Sequence, residues 1–409
     1  MTNATAHHQP DSTYAWWRLV ATLAVGTLAC AGSWTIVVVI PMVEAEFGTL
    51  RAAATVPYTL MMVGFGIGTI VIGRMADRFG IVTPVIGAAL LLVAGYVISG
   101  LAPNFALFTA AHFLLGLGSG VGFAPLMADI SHWFVRRRGL AVVIAACGSY
   151  LAGSLWPLIM NQTIPLVGWR ATQIGIGIAI LVLMLPLSLV FRSQPSHATI
   201  TAAEGAMSAA RADLGVSPGQ LQALLTLAGF ACCMAMAMPQ VHIVAYCGDL
   251  GYGVARGSEM LSLMLGLGII SRVGSGFLAD RIGGAATLAI GSVMQGLALM
   301  LYLFFDGLAS LYIISGVFGL FQGGIVPMYA VIAREFLPPR EAGSRIGVIV
   351  AATIAGMAVG GYASGAIFDA TASYQMAFLH GLFWNMINLA LALWLVFKRG
   401  APQPMRAAA

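Results

Sequence analysis

The chain has 409 residues, of which 60% are hydrophobic and only 8% charged. Soluble domains carry about 25% charged residues, so 19 basic and 14 acidic side chains cannot clothe a water-exposed surface of this size. A cytosolic enzyme, a nucleic-acid binder and a disordered chain are excluded, and a mean hydropathy of +0.93 points to a polytopic membrane protein.

The start of the chain, through Asp11 and Arg18, is polar, and the first apolar run is too long for a signal peptide, so no cleavable leader is expected. A helix needs about 20 apolar residues to cross a bilayer. The charge-free stretches fit that length: 19–43, 52–73, 79–128 (two spans split at Pro103–Asn104), 139–169, 171–191, 214–248, 282–305, 307–333, 346–368 and 370–397. One more, about 258–280, is interrupted only by Arg272. The total predicts twelve transmembrane helices. A barrel is excluded because polarity does not alternate every second residue.

The longest polar stretch, 192–218, falls between spans six and seven. It reads as a linker with a short amphipathic helix around Ala202–Leu214. It separates a six-helix half, residues 1–191, from a second, residues 219–409. With the N-terminus inside, 15 basic residues fall in cytoplasmic segments, and only Arg51, Arg170 and Arg256 face out. The positive-inside rule then places both termini in the cytoplasm. The net charge of +5 is explained by these loops and not by nucleic acid. Cys30, Cys147, Cys232, Cys233 and Cys247 lie in or beside apolar runs and read as small packing residues, neither disulfides nor metal ligands.

An internal repeat carries the architecture. Gly73-Arg74-Met75-Ala76-Asp77-Arg78-Phe79-Gly80 closes span two, and Gly276-Phe277-Leu278-Ala279-Asp280-Arg281-Ile282-Gly283 closes span eight, 203 residues later. Five of the eight positions are identical. Two six-helix units in parallel form the repeat of a secondary transporter. The glycines suit a tight turn. Asp77 and Asp280 can accept from the N-terminus of a neighbouring helix. With Arg78 and Arg281 they are the expected cytoplasmic gate.

Here the chain resembles the major facilitator superfamily, whose loop signature appears twice. The first copy departs from it, with Ile81-Val82-Thr83 where basic residues usually follow. A finer resemblance rests on three segments. They are Trp133-Phe134-Val135-Arg136-Arg137-Arg138-Gly139-Leu140-Ala141, then Val241-His242-Ile243-Val244-Ala245-Tyr246-Cys247-Gly248-Asp249-Leu250-Gly251, and Glu46-Phe47-Gly48. These look like bacterial members of the branch that holds the monocarboxylate transporters and oxalate–formate exchangers. The resemblance implies a twelve-helix fold in two pseudo-symmetric halves in a bacterial inner membrane.

Arg272 is the one charge in the core of a span, about 6 Å to the cytoplasmic side of its middle at 1.5 Å per residue. Burying it costs at least about 2.5–3.5 kcal/mol. No acid lies one turn away, where Gly268, Ile269, Ser275 and Gly276 stand. Its repeat equivalent is Thr69. The guanidinium either bonds backbone carbonyls or a distant acid, or faces a cavity as the partner of an anion. It matches a carboxylate with two parallel hydrogen bonds. Gly266, Gly268, Gly274 and Gly276 leave backbone room around it. The resemblance implies a span-eight arginine that holds the substrate carboxylate, in the setting Ile270-Ser271-Arg272. Animal members place an aspartate where Gly268 stands and use a lysine in span one, whereas the only lysine here is Lys398. The oxalate exchanger has a second cation in span eleven, and residues 346–366 have none. One cation suits a monoanion.

Gln322 and Tyr329 are seven apart on span ten, and Phe321, Ile325 and Tyr150 are placed to line the same cavity. Each polar group can serve the substrate or bond a neighbouring helix. His242 and His112 are the candidates for proton handling, although both, like His380, also fit a packing role. The Gly116–Gly122 run looks like a nucleotide loop but follows no strand, so it reads as helix packing. No nucleophile motif or metal cluster appears, and no enzyme activity or cofactor is expected.

The expected function is secondary active transport of a small monocarboxylate, lactate- or pyruvate-like, by proton-coupled symport, with the chain working as a monomer in the bilayer. Organic-anion exchange and drug/proton antiport are the alternatives.

Overall fold

The computed structural model describes residues 11–134, 137–193, 216–337 and 339–400. Among these the secondary structure is helical throughout, without a strand. Eleven helices are long and apolar enough to cross a membrane. One of them, Gly139–Arg192, runs for 54 residues and makes two crossings. It turns at Gly168, whose φ of +79° is the left-handed region open to glycine. The count is therefore twelve spans, as the charge-free stretches predict. The outer surface is apolar, with Phe304 and Phe397 more than 70% exposed, as a lipid-facing surface requires. The expected linker lies almost wholly outside the described residues, and its amphipathic helix entirely so.

Local signals set the helix ends. Asn104 caps span four, its side chain accepting from Leu107 N at 2.9 Å. Span seven opens on a capping box between Ser217 and Gln220, with Pro218 in the first turn. Gly80 and Gly283, the closing glycines of the repeated motif, both take positive φ, 74° and 88°. This is the tight turn expected of them.

The repeat extends into the packing. A Cβ on Gly116 of span four would lie 2.1 Å from Met61 O of span two, and one on Gly319 of span ten would lie 2.0 Å from Met264 O of span eight. Both partners shift by the same 203 residues. Glycine at these two places lets the paired spans touch backbone to backbone.

Four spans are broken near their middles. The joints are at Cys30 in span one, Gly120–Phe123 in span four, Cys147 in span five and Gly323–Gly324 in span ten. The last has a clear cause. Pro327 has no N–H, so the carbonyl four residues earlier, Gly323 O, receives no helical bond. Breaks of this kind deliver free backbone groups to a transporter's interior.

Alternate crossing puts both ends of the described chain and both motif loops on one side of the bundle, the terminal side. Near it, Arg18 is fully buried and makes a two-pronged pair with Asp129 of span four at 2.9 and 2.7 Å. Its remaining donors reach Val190 O and Ser193 O. This pin ties spans one, four and six together. The sequence reading counted Arg18 only as a loop charge.

Candidate functional site

The first six and last six spans meet at two levels. At mid-depth, Tyr150 of span five reaches into the last six spans. Gly268 makes room for it, because a Cβ there would lie 2.4 Å from Tyr150 Cε1. The guanidinium carbon of Arg272, one turn on from Gly268, stands 4.1 Å from the Tyr150 ring centroid, a cation–π contact. The Tyr150 hydroxyl donates to Gln322 Oε1 at 3.1 Å. Gln240 of span seven donates to the same oxygen at 2.9 Å. Gln322 Nε2 is buried without a partner.

Arg272 is 5% exposed. Its Nε donates to Gly323 O at 3.2 Å and its Nη1 to Ala146 O at 2.7 Å. Both acceptors sit at helix joints, one in span ten and one in span five, where a helix C-terminus carries partial negative charge. Among the described residues it pairs with no carboxylate. Of the readings left open by the sequence, bonding to backbone carbonyls is the one formed: two carbonyls hold the guanidinium, and the second belongs to the first six spans. Of the four glycines around it, Gly268 faces the cluster and Gly266 faces Ser154, while Gly274 and Gly276 meet nothing within 4 Å.

Arg272, Tyr150 and Gln322 are thus brought together, and other expected residues are not. Tyr329, beyond the joint at Gly323–Gly324, makes no bond to Gln322, Tyr150 or Arg272. Its hydroxyl donates to Asn388 Oδ1 at 2.7 Å and lies 3.1 Å from Ala228 O. The Ile325 side chain packs toward Gly291 of span nine. Phe321 is half-buried, with its carbonyl on that same side. His242 is buried with Nε2 2.8 Å from Gly361 O of span eleven. His112 bonds Phe108 O within its own helix at 2.8 Å, and His380 Nε2 accepts from Trp384. None of the three histidines touches the Arg272 cluster. All five cysteines are buried and unpaired.

The second level is the far side of the bundle. Arg51, 7% exposed, binds Glu44 of its own six spans, and Asp249 at 3.0 Å and Tyr374 from the other six. It also lies 4.8 Å over the Phe368 ring. Asp369 of span eleven accepts from Arg51 N at 3.0 Å and Ala52 N at 2.7 Å, capping the helical turn that begins span two. Gly365 fits this joint closely, since a Cβ there would come within 3.0 Å of Ala52 Cα. The sequence reading treated Arg51 as a lone outward loop charge and missed Asp369 and Gln240. Only the fold brings residues more than 300 positions apart to one place.

Asp77, Arg78, Asp280 and Arg281 are exposed on the terminal side. They make no ion pair among the described residues, so the expected gate contacts are not formed here. The bonds described above between the two sets of spans lie at mid-depth or on the far side.

The Major Facilitator Superfamily model matches residues 22–318 and 275–408. The chain is 22% identical over 307 residues to the MFS-type transporter pynF of Aspergillus niger, covering 74% of this chain and 69% of that protein. It is 23% identical to the agnestins efflux protein AgnL12 of Paecilomyces divaricatus, covering 69% of this chain and 64% of that one. It is 25% identical to monocarboxylate transporter 13 of Bos taurus, covering 76% and 73%. Among solved structures it resembles a bacterial homologue of the human lysosomal transporter Spinster, in an inward-facing and occupied conformation. There the TM-score is 0.70 at 14% identity, over 95% of this chain and 96% of that one. The nucleoside transporter NupG gives 0.71 at 12% identity, over 94% and 99%. With twelve spans, a repeat at 203 residues and a matching family model over nearly its whole length, the chain belongs to the Major Facilitator Superfamily and is a multi-pass membrane transporter.

Proposed function

We propose that the chain carries a small monocarboxylate, lactate- or pyruvate-like, by alternating access, with the substrate carboxylate on Arg272. The observation that carries this reading is a buried guanidinium at the meeting of the two sets of spans, held by carbonyls and not neutralised by any described acid. An anion supplies the missing charge with two parallel hydrogen bonds. The likeness to a monocarboxylate transporter supports the same choice. Residues 1–191 and 219–409 act as two rocking halves in a bacterial inner membrane, with both termini cytoplasmic, and the protein works as a monomer. The terminal side is then the cytoplasmic side, and the structure corresponds to the inward-facing state. The Arg51–Asp369 cluster closes the outside, and Asp77 and Asp280 latch the inside in the opposite state.

Transport is coupled to a proton, and one monoanion with one proton moves no net charge. Uptake of labelled lactate, pyruvate, acetate and oxalate into proteoliposomes, with and without a pH gradient, tests the reading. An inward proton gradient should drive monocarboxylate accumulation. Uptake of none of the four acids would overturn it. A second reading, export or exchange of a larger organic anion, is favoured by the likeness to a fungal efflux protein. It predicts trans-stimulated exchange with no response to the gradient.

A further inference from the structure

We propose that Gln240 is a positioning residue. By holding Gln322 Oε1 it turns the Gln322 amide N–H toward the substrate. The site then selects carboxylates that carry a second, neutral acceptor beside the carboxylate, a keto or hydroxyl oxygen. This rests on the carboxylate reading above.

The argument is one of hydrogen-bond capacity. An amide oxygen has two lone pairs. Gln322 Oε1 receives Tyr150 Oη at 3.1 Å and Gln240 Nε2 at 2.9 Å, so both are used. This amide orientation pairs Oε1 with two donors. It leaves Nε2, with its hydrogens, as the free end. That nitrogen is buried and has no protein acceptor. A buried donor left unpaired costs free energy, and a ligand acceptor removes the cost. Nε2 stands 3.5 Å from the Cβ position of Gly268, beside the Tyr150 ring that packs there. Gly268 and Arg272 are one turn apart and share a face of span eight. The guanidinium and the Gln322 amide N–H are therefore both neighbours of the Tyr150 ring, where a ligand would meet the two donors together.

The second donor is neutral. The chain's only lysine, Lys398, lies at the far end of span twelve from this cluster. A second carboxylate would meet an amide and no cation, whereas a keto or hydroxyl oxygen is satisfied by it. Sites built to bond a substrate oxygen discriminate against the analogue that lacks it, because a buried polar group is left unpaired. Gln240 is 3% exposed and is a polar side chain whose bond aims Gln322. With Gln240 gone, Tyr150 alone restrains the amide, and it can turn.

The test compares pyruvate with propionate, which differ by the oxygen on the second carbon. Equilibrium binding is measured on the purified full chain for wild type, Gln240→Met and Gln322→Met. Wild type should bind pyruvate about tenfold more tightly than propionate, the worth of one such bond. In both variants the ratio should fall to about two or below. A wild-type ratio near one would overturn the proposal while leaving the carboxylate reading standing. A tenfold ratio retained in Gln240→Met would overturn the role of Gln240. If Gln240→Met does not fold, the wild-type and Gln322→Met ratios decide. Wild type that binds neither acid would overturn the carboxylate reading and the proposal together.

Discussion

Thr69 and Arg272 hold the same position in the two repeats and reach toward equivalent carbonyls. Arg272 Nε donates to Gly323 O at 3.2 Å. Thr69 Oγ1, which donates to Phe65 O at 2.8 Å, stands 3.5 Å from Gly120 O. Each pair shifts by the same 203 residues. In the sequence the Arg272 charge has an uncharged counterpart, Thr69, in the first repeat. The charge is indeed additional, but the close approach of this position to a broken span belongs to the scaffold. What Arg272 adds is its outer edge, Nη1 and Nη2, of which Nη1 now rests on Ala146 O of the other set of spans.

That geometry changes the expected cost of removing the side chain. Arg272→Gln cannot reach both carbonyls, so at least one is left unpaired in the membrane interior. We expect a loss of about 1–3 kcal/mol of stability, read as a lower melting temperature of the ligand-free protein in detergent. Arg272→Lys, which keeps a donor and the charge, should fall between the two. An unchanged melting temperature in Arg272→Gln would contradict the bonding described.

The far-side cluster is expected to set the balance of states. Arg51→Gln loses the pair with Asp249, and Asp369→Asn weakens the cap on Ala52 N. Each should raise the far-side-open population, by about tenfold for every 1.4 kcal/mol removed. Spin labels on cysteines placed at the exposed positions Leu50 and Thr371 report this directly. A new, longer distance should appear in both variants. A distribution identical to that of the parent would refute the latch.

How much of this was legible in the sequence differs by element. Twelve spans, their boundaries near Pro103 and Arg170 and the turn glycines Gly80 and Gly283 follow from charge spacing and a repeated octet. Span and turn signals are local, so a single chain displays them. The importance of Arg272 was also legible, because a lone arginine in an apolar run has no ordinary explanation. Its partners were not, since main-chain carbonyls leave no mark in composition. Pro327 was the available signal, for it frees Gly323 O four residues upstream. Tyr329 and Ile325, expected on the cavity, meet Asn388 and the Gly291 position, contacts to other spans that no local pattern announces. Arg51, Asp249, Asp369 and Tyr374 are spread over more than 300 positions, and no local pattern joins them.

Asp77 is exposed and unpaired in this state, although the proposed latch belongs to the opposite one. Asp77→Asn should therefore leave the melting temperature of the present state within about 0.5 kcal/mol of wild type in stability terms. Substrate binding should persist while the rate of transport falls. A strongly destabilised Asp77→Asn protein would show that the residue has a partner in this state.

His242 remains the candidate for the coupled proton. Its Nε2 faces Gly361 O at 2.8 Å, and its Nδ1 is buried without a partner. A glutamine can preserve the bond to Gly361 but cannot take up a proton. His242→Gln should keep counterflow exchange and lose accumulation driven by a pH gradient. Undiminished accumulation would move the proton to the substrate itself.

The central claim is that a substrate carboxylate sits on Arg272. Its most direct test is ligand-induced thermal stabilisation of the purified protein, each variant compared with its own ligand-free melting temperature. That comparison separates binding from the stability loss expected of the substitution. Lactate or pyruvate should raise the melting temperature of wild type, raise that of Arg272→Lys much less, and leave that of Arg272→Gln unmoved. Stabilisation of Arg272→Gln equal to that of wild type would contradict the account.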